Sequence, residues 1–332
     1  MSITRAMSRR SLIGGAAGLA AYASLSACGG GSSTFVANSR GKVAVTVMRP
    51  ANTGFEPVVI AKEQGFFSDH GLDVTFAEAS ADTSANIPRL TNGEVQFVNG
   101  GAPQAIKAVA GGLDVQLVTG IQSSEANASP TDGLLVPGDS AVRSFADLEG
   151  KKIGVSGIGG TTNLVNNILA RKAGADPVTF TYVNLEPPAL QEAATKGQVD
   201  AVLIFGLYYS KATKSGFRII SDGTTSLPGT LQIGYIATTD FLDEHADLAE
   251  KFNAAIATGI KYANKHPDAV RATQREYTEL PDSYITSMKP LHYSATMDTA
   301  TTAKLSAELI KLGDIDSAPS DDQLFWSEAP TR

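Results

Sequence analysis

The sequence predicts an α/β protein of two sheet-based lobes with a ligand cleft between them, and three observations carry that prediction. Short apolar strands alternate with helical segments from residue 42 onward, the signature of a parallel or mixed sheet covered by helices. The same order repeats after residue 150. A last strand at 232–238 is read as crossing back, so the chain passes between the lobes twice. On this reading residues 41–128 and 233–332 build a discontinuous first lobe, and 129–232 build the second.

Residues 1–27 stand apart from this fold. Arg5, Arg9 and Arg10 precede a short apolar run rich in Gly and Ala, which is the pattern of an export signal. Ser8-Arg9-Arg10-Ser11-Leu12-Ile13 resembles a twin-arginine signal, and Leu25-Ser26-Ala27-Cys28 resembles a bacterial lipobox, which makes Cys28 the expected lipidation site. A plain signal peptide with a coincidental cysteine is the alternative. Cys28 is the only cysteine of the chain, so the exported body has no disulfide and no thiol chemistry. Removing 1–27 takes away three arginines and no acid, which moves the net charge from −7 to −10. That balance speaks against nucleic acid as a partner, and any bound anion must be gripped locally. Residues 28–40 read as a flexible tether. No other apolar run approaches the ~20 residues that span a bilayer, so the expected location is the outer face of the cell membrane, held there by lipid.

The first lobe opens on a strand at 42–48, broken by Pro50 and Gly54. A helix at 56–67 stops near Gly65, and strand 72–76, a short helix at 84–92 around Pro88 and strand 94–98 follow. Asn99-Gly100-Gly101 is a glycine loop, Pro103 opens a helix to 110, and 115–121 is the fourth strand. In the second lobe, strand 151–155 runs straight into Ser156-Gly157-Ile158-Gly159-Gly160, where Thr161 or Thr162 caps a helix to 173. Leu164, Val165, Ile168 and Leu169 recur at helical spacing, and Gly174 ends the helix. Strand 178–183, helix 188–196, strand 201–205, a helix through 208–214 and strand 217–221 complete the lobe. The halves share wording: Thr91-Asn92-Gly93-Glu94-Val95-Gln96 stands where Thr195-Lys196-Gly197-Gln198-Val199-Asp200 stands, and 111–118 matches 215–220. After the crossing, 247–265 is a long helix, and the helical tail at 299–312 is expected to pack on the first lobe.

A strand, a glycine loop and a helix N-terminus in that order aim backbone N–H groups and partial positive charge at one point. Residues 156–162 are therefore a candidate seat for a carboxylate, sulfonate, phosphate or nitrate group. Glycines serving only a tight turn are the plain alternative. An ATPase phosphate loop is excluded, because no Lys-Ser or Lys-Thr follows the glycines. Gly157-Ile158-Gly159 begins a dinucleotide fingerprint, but Thr162 replaces its third glycine. Arg49 ends the first strand, where it could hold an anion bidentately or be an ordinary solvated or paired arginine. Phe55, Phe205, Tyr208 and Tyr209 are candidate pocket walls, although the apolar strand around Phe205 favours core packing. The four histidines show no metal-ligand spacing, there is no Gly-x-Ser-x-Gly elbow, and no carboxylates are forced into a catalytic pair. Nothing in the residues points to catalysis, a metal or a cofactor.

One resemblance gathers these signals. Ala61-Lys62-Glu63-Gln64-Gly65-Phe66-Phe67 with Gly71-Leu72-Asp73-Val74, the stretch 90–95, Asp147-Leu148-Glu149-Gly150-Lys151-Lys152-Ile153-Gly154-Val155 and Gly197-Gln198-Val199-Asp200-Ala201 resemble the solute-binding proteins of ABC importers. The matching group includes sulfonate, taurine, nitrate and pyrimidine-precursor binders. Gln96 departs from it, since an Asp is usual there, at a position read as lobe packing. The resemblance implies a type II periplasmic-binding fold that closes like a hinge on one small anion. It further implies a monomer that delivers its ligand to ABC permease subunits. The ligand loops it implies are Asn52-Thr53-Gly54-Phe55, Gly100-Gly101, the stretch near Ser123-Ser124 and residues 156–162 with Ser156, Gly159, Gly160, Thr161 and Thr162. Phe205-Gly206-Leu207-Tyr208 and Gly229-Thr230 are implied as further pocket edges. A thiamine-precursor pyrimidine stacked on Tyr208 or Phe55, or an aromatic carboxylate, is the alternative ligand. A biosynthetic enzyme on the same fold is the alternative role, and the export signal speaks against it.

Overall fold

In a computed structural model of the chain, residues 35–50, 53–79 and 86–332 are described. The export signal, Cys28, most of the tether and Asn52 lie outside the described residues. Four strands start the first sheet: β1 (Val43–Arg49), β2 (Leu72–Glu78), β3 (Val98–Gly100) and β4 (Val115–Ser123). The second sheet takes β5 (Asp132–Val136), β6 (Lys152–Val155), β7 (Thr181–Asn184), β8 (Ala201–Phe205) and β9 (Arg218–Asp222), and β10 (Leu231–Thr238) returns to the first. The helices of eight residues or more are α1 (Glu56–Glu63), α2 (Ala102–Ala110), α3 (Thr161–Lys172), α4 (Pro187–Thr195), α5 (Gly206–Lys214), α6 (Ala246–Lys265), α7 (Pro267–Tyr277) and α8 (Thr299–Leu312).

In the first sheet β1 runs parallel to β2, and a parallel bridge, Val47↔Phe97, brings this pair beside β3. β10 lies antiparallel between β3 and β4, with Gly234 opposite Gly100 and Leu231 opposite Ser123. The second sheet has the order β7-β6-β8-β5-β9, with β6 parallel to both neighbours and β5 antiparallel to both. The parallel pair β1-β2 and the antiparallel sheet β3-β10-β4 thus join through one bridge into the first sheet layer, and the five-stranded second sheet is mixed through β5.

Three elements differ from the sequence expectation. Strand β5 is not among the strands expected from the sequence, because five residues caught between Pro130 and Pro137 carry too little pattern to stand alone. The strand expected at 94–98 is displaced to Val98–Gly100, since the Gln96 side chain accepts the Thr46 N–H at 2.8 Å and takes the place of a ladder bond. That contact also makes Gln96 a packing residue of the first sheet. Helix α7 follows α6 after a break at His266-Pro267 and is too polar in sequence to show a core stripe. The internal repeat holds in detail: Thr91 and Thr195 each end a helix, and Gly93 and Gly197 take the left-handed turn after it, at φ +74° and +69°.

Packing places α3 and α8 differently from a tail on one lobe. Leu305 and Leu309 of α8, Leu164 and Val165 of α3 and Ile106 of α2 share one buried cluster, so α8 touches both lobes. The opposite face of α3 carries Asn163, Asn166 and Asn167, all buried. Ser221 Oγ of β9 donates to Asn166 Oδ1 at 3.0 Å, and the Tyr182 hydroxyl of β7 donates to Asn167 Oδ1. The helix thus turns its amide face to its own sheet and its apolar face to the other lobe. Arg171 Nε reaches Glu308 Oε1 at 2.7 Å and closes this seam, with Glu308 only 3% exposed. Arg171→Ala is expected to cost about 3 kcal/mol by stranding the buried carboxylate. Urea denaturation will measure the loss, and Arg171→Met combined with Glu308→Leu should recover most of it.

Candidate functional site

Strand direction fixes where the loops go. The carboxyl ends of β1, β3 and β4 and the amino end of β10 share one edge of the first sheet. The carboxyl ends of β6, β8 and β9 and the amino end of β5 share one edge of the second. These edges meet. A Cβ built on Gly101 would stand 2.6 Å from Thr161 Oγ1 and 3.0 Å from the Gln232 carbonyl oxygen, and one on Gly159 would stand 2.6 Å from Lys107 Nζ. Only glycine lets the two rims approach this closely. Lys107 crosses here from α2 to pair with Asp314 at 2.7 Å.

The two rims are also two helix N-termini. Gly101 is the N-cap of α2 and Gly160 that of α3, both with extended backbone. Thr161 and Thr162 are the first helical residues of α3 and do not cap it, so their hydroxyls are not spent on the helix. First-turn N–H groups have no partner inside a helix, and each terminus favours a nearby anion by roughly 0.3–1 kcal/mol. Gly159 N–H donates to Asn163 Oδ1 at 2.8 Å, which fixes the loop in front of α3. The two crossings between lobes are tied where they pass, through Ser124 N–H to the Thr230 carbonyl and Gly229 N–H to the Ser124 carbonyl, both at 2.8 Å.

A cavity of about 490 Å³ lies at the crossings, lined by none of the seam residues Gly101, Gly159, Gly160 and Thr161. Its first-lobe wall is Gln122 and Ser123 at the end of β4, together with Tyr284, Met288, Leu291 and His292. Residues 127–131 of one crossing form its floor, and Gly206, Tyr209 and Ser210 at the start of α5 face it from the second lobe. Ser123 Oγ is buried without a hydrogen-bond partner among the described residues. Burial first, then the charges of Asp222 and Asp132, push the Tyr209 hydroxyl up to about 12, so it stays a neutral donor.

The sequence-derived residues divide accordingly. Gly101, Gly159, Gly160 and Thr161 meet at the seam, Ser123 lines the cavity, and Ser156 and Thr162 are partly exposed on the rim of the second lobe. Gly100 is buried in β3 against Ile236. Thr53 is partly exposed, and Gly54 is pressed onto Ile233 and Gln122. Phe55 packs in the first-lobe core at 3% exposure, and Phe205, expected to pack, is 46% exposed beside the cleft. Tyr208 lies under Lys211 against the second-lobe core, and the adjacent Tyr209 takes the cavity wall: on the first turn of a helix one residue changes the face. The Arg49 guanidinium stands over the rings of Phe76 and Tyr277, at 5.3 and 5.0 Å, and donates to the Pro50 carbonyl oxygen. The Thr230 hydroxyl donates to the Leu227 carbonyl oxygen at 2.8 Å.

Sequence reasoning missed Glu56, a buried carboxylate at the first position of α1. Its Oε2 accepts from Gly54 N–H at 2.7 Å and Tyr293 hydroxyl at 3.0 Å, and its Oε1 accepts from Gln274 Nε2 at 2.7 Å. The signal was an acid set in the apolar run of residues 55–61, directly behind a glycine loop. No cluster of three or more His, Cys, Asp or Glu suited to a metal occurs among the described residues.

The family described as NMT1/THI5 like matches residues 52–270. A protein of Escherichia coli (strain K12) named for aliphatic sulfonate binding is 30% identical over 189 residues, 56% of this chain and 54% of its own. A Haemophilus influenzae protein named for thiamine biosynthesis is 29% identical over 163 residues, 49% of each chain. The chain thus spans about half the length of these curated relatives. Among solved structures, the periplasmic aliphatic sulphonate binding protein SsuA from Escherichia coli superposes with a TM-score of 0.70 at 19% identity, over 86% of this chain and 92% of that one. At such identity the likeness shows the fold, which is that of periplasmic binding proteins.

Gly101→Ala should push the two rims apart, because its Cβ would stand 2.6 Å from Thr161 Oγ1 across the seam while the Gln232 carbonyl of β10, at 3.0 Å in the same lobe, keeps it from turning away. Small-angle scattering should show a larger radius of gyration, and Thr161→Ala in the same chain should reverse part of the change.

Proposed function

Because the chain belongs to the NMT1/THI5-like family and has the fold of periplasmic binding proteins, we propose that it is the extracytoplasmic binding subunit of an ABC importer. It holds a small organic anion, an alkanesulfonate or taurine foremost, between its lobes and hands it to the permease as a monomer. The observation that carries this reading is the approach of Gly101 to Thr161, which sets two helix N-termini, one from each lobe, against one place. An anion there is held by backbone N–H groups of both lobes and rewards their closure. The neighbouring space of about 490 Å³ is far more than a nitrate needs and falls within the range of organic-ligand sites. That comparison puts organic anions ahead of nitrate. Binding requires no bond to break, and the role is delivery rather than turnover. The N-terminal signal and Cys28 support export and a lipid anchor on the outer face of the membrane.

One observation favours a second reading. Tyr209 and Tyr284 both line the cavity, and such rings suit a thiamine-precursor pyrimidine or an aromatic carboxylate. Calorimetric titration with ethanesulfonate, taurine, nitrate, benzoate and an aminopyrimidine separates the readings. The anion reading expects a sulfonate to bind in the micromolar range, with affinity falling about tenfold or more in Gly101→Ala. No sulfonate binding tighter than roughly 1 mM would overturn it. Aminopyrimidine binding that is lost in Tyr209→Ala and kept in Gly101→Ala would establish the second. Metabolic labelling with palmitate, abolished by Cys28→Ala, tests the anchor.

A further inference from the structure

The feature with the most bonds and no role so far is the carboxylate of Glu56. It sits 3% exposed inside the first lobe. Three donors converge on it from three separate segments: the Gly54 N–H from the loop after β1, Gln274 Nε2 from α7, and the Tyr293 hydroxyl from the stretch after residue 288. Two of those segments reach the binding space. Gly54 rests against the Gln122 side chain, with a built Cβ 2.8 Å from its Oε1, and Gln122 lines the 490 Å³ cavity. Leu291 and His292, directly before Tyr293, line the same cavity. α7 supplies the third tie and, through Gln274, borders a smaller cavity of about 190 Å³ behind residues 288–291.

We propose that Glu56 is a positioning residue of the binding site: its carboxylate holds the loop at Thr53 to Phe55 and the wall at Leu291 and His292 in fixed relation, so ligand affinity depends on a side chain that touches no ligand. The inference deepens the binding-protein reading and rests on it. An unpaired carboxylate buried inside a lobe is costly, and retaining one for packing alone would be unfavourable when an apolar residue could fill the space. Here it accepts three bonds, and as the first residue of α1 it lies at the positive end of a helix. Bonds to an ionised acceptor are about twice as strong as neutral ones. A carboxylate is also acceptor-only, so all three donors must point inward to it.

Ionisation gives the arrangement a readout. Burial pushes the Glu56 carboxyl above the ordinary range, and the bonds from Gln274, Tyr293 and Gly54 partly oppose this. The Tyr293 hydroxyl is in direct contact with it, and Arg271, paired with Asp268, and Lys289 line the small cavity that Gln274 also borders. The folded state holds the Glu56 proton more tightly than the unfolded chain does. Its contribution to stability is full below the unfolded pKa and fades as pH rises through the folded one. Glu56 therefore takes up a proton, as pH falls, before exposed carboxylates do, and its bond to Gly54 N–H then weakens.

The test follows the Gly54 amide by NMR in the ligand-free protein, in wild type, Glu56→Gln and Glu56→Ala, from neutral to acid pH. Glutamine keeps an oxygen for Gly54 but no charge, and alanine removes the acceptor. The expected result is a Gly54 resonance that titrates in wild type and is pH-independent in Glu56→Gln. In Glu56→Ala, Gly54 should exchange with solvent at least about tenfold faster, and whichever of ethanesulfonate, taurine or benzoate binds wild type should bind about tenfold more weakly. A Gly54 amide that neither titrates in wild type nor exchanges faster in Glu56→Ala overturns the proposal. If Glu56→Ala does not fold, the comparison of wild type with Glu56→Gln decides alone. A Gly54 amide that responds as stated while no anion binds wild type would leave the anchor standing and remove the anion reading.

Discussion

The constraint on which the cleft depends is that α3 belongs to two lobes at once. Its asparagine face is hydrogen-bonded to β7 and β9 of its own sheet, and its apolar face is buried with α2 and α8 of the other. This fixes the depth at which its N-terminus stands and brings Thr161 up to Gly101. The glycine at 101 is the steric consequence, since a Cβ there would stand 2.6 Å from Thr161 Oγ1. Seen this way the glycine loop is not a free-standing anion motif. Its position is set by a helix behind it that is held from both sides.

Much of this was legible in the residues. The alternation of strands with helices, the repeat of Thr91 to Gln96 at Thr195 to Asp200, and the return strand at Leu231–Thr238 are local patterns, and local patterns set the architecture. What stayed hidden depended on tertiary neighbours. β5 became a strand only because β8 and β9 flank it on either side. The buried asparagines of α3 find acceptor-side partners that are distant in sequence, Tyr182 for Asn167 and Ser221 for Asn166, while the Nδ2 groups of Asn163 and Asn166 have no hydrogen-bond partner among the described residues. At the site, the glycines announced themselves, whereas the choice between Tyr208 and Tyr209 turned on a single step around α5, below the resolution of periodicity. Arg49 has neighbours that the sequence does not announce. Its place at a strand end suggested either an anion contact or an ordinary paired arginine, and its guanidinium stands over two aromatic rings that no spacing rule connects to it.

The same seam limits how the lobes can move. Leu164, Val165, Leu305 and Leu309 are each 2% exposed or less, and parting α3 from α8 would return all four to water. At roughly 1.5–3 kcal/mol for each such side chain, that costs about 6–12 kcal/mol before the Arg171–Glu308 pair is counted. A ligand bound at micromolar strength supplies about 8 kcal/mol in total, and little of that is left over to drive closure. Opening by separation at the seam is therefore disfavoured. The motion that remains is a swing about an axis along α3 and α8, in which the seam stays closed and the cavity bounded by Ser123, Gly206 and Tyr209 widens. On the binding-protein reading proposed above, such a swing opens the cavity on the side of the two crossings, where residues 127–131 line it.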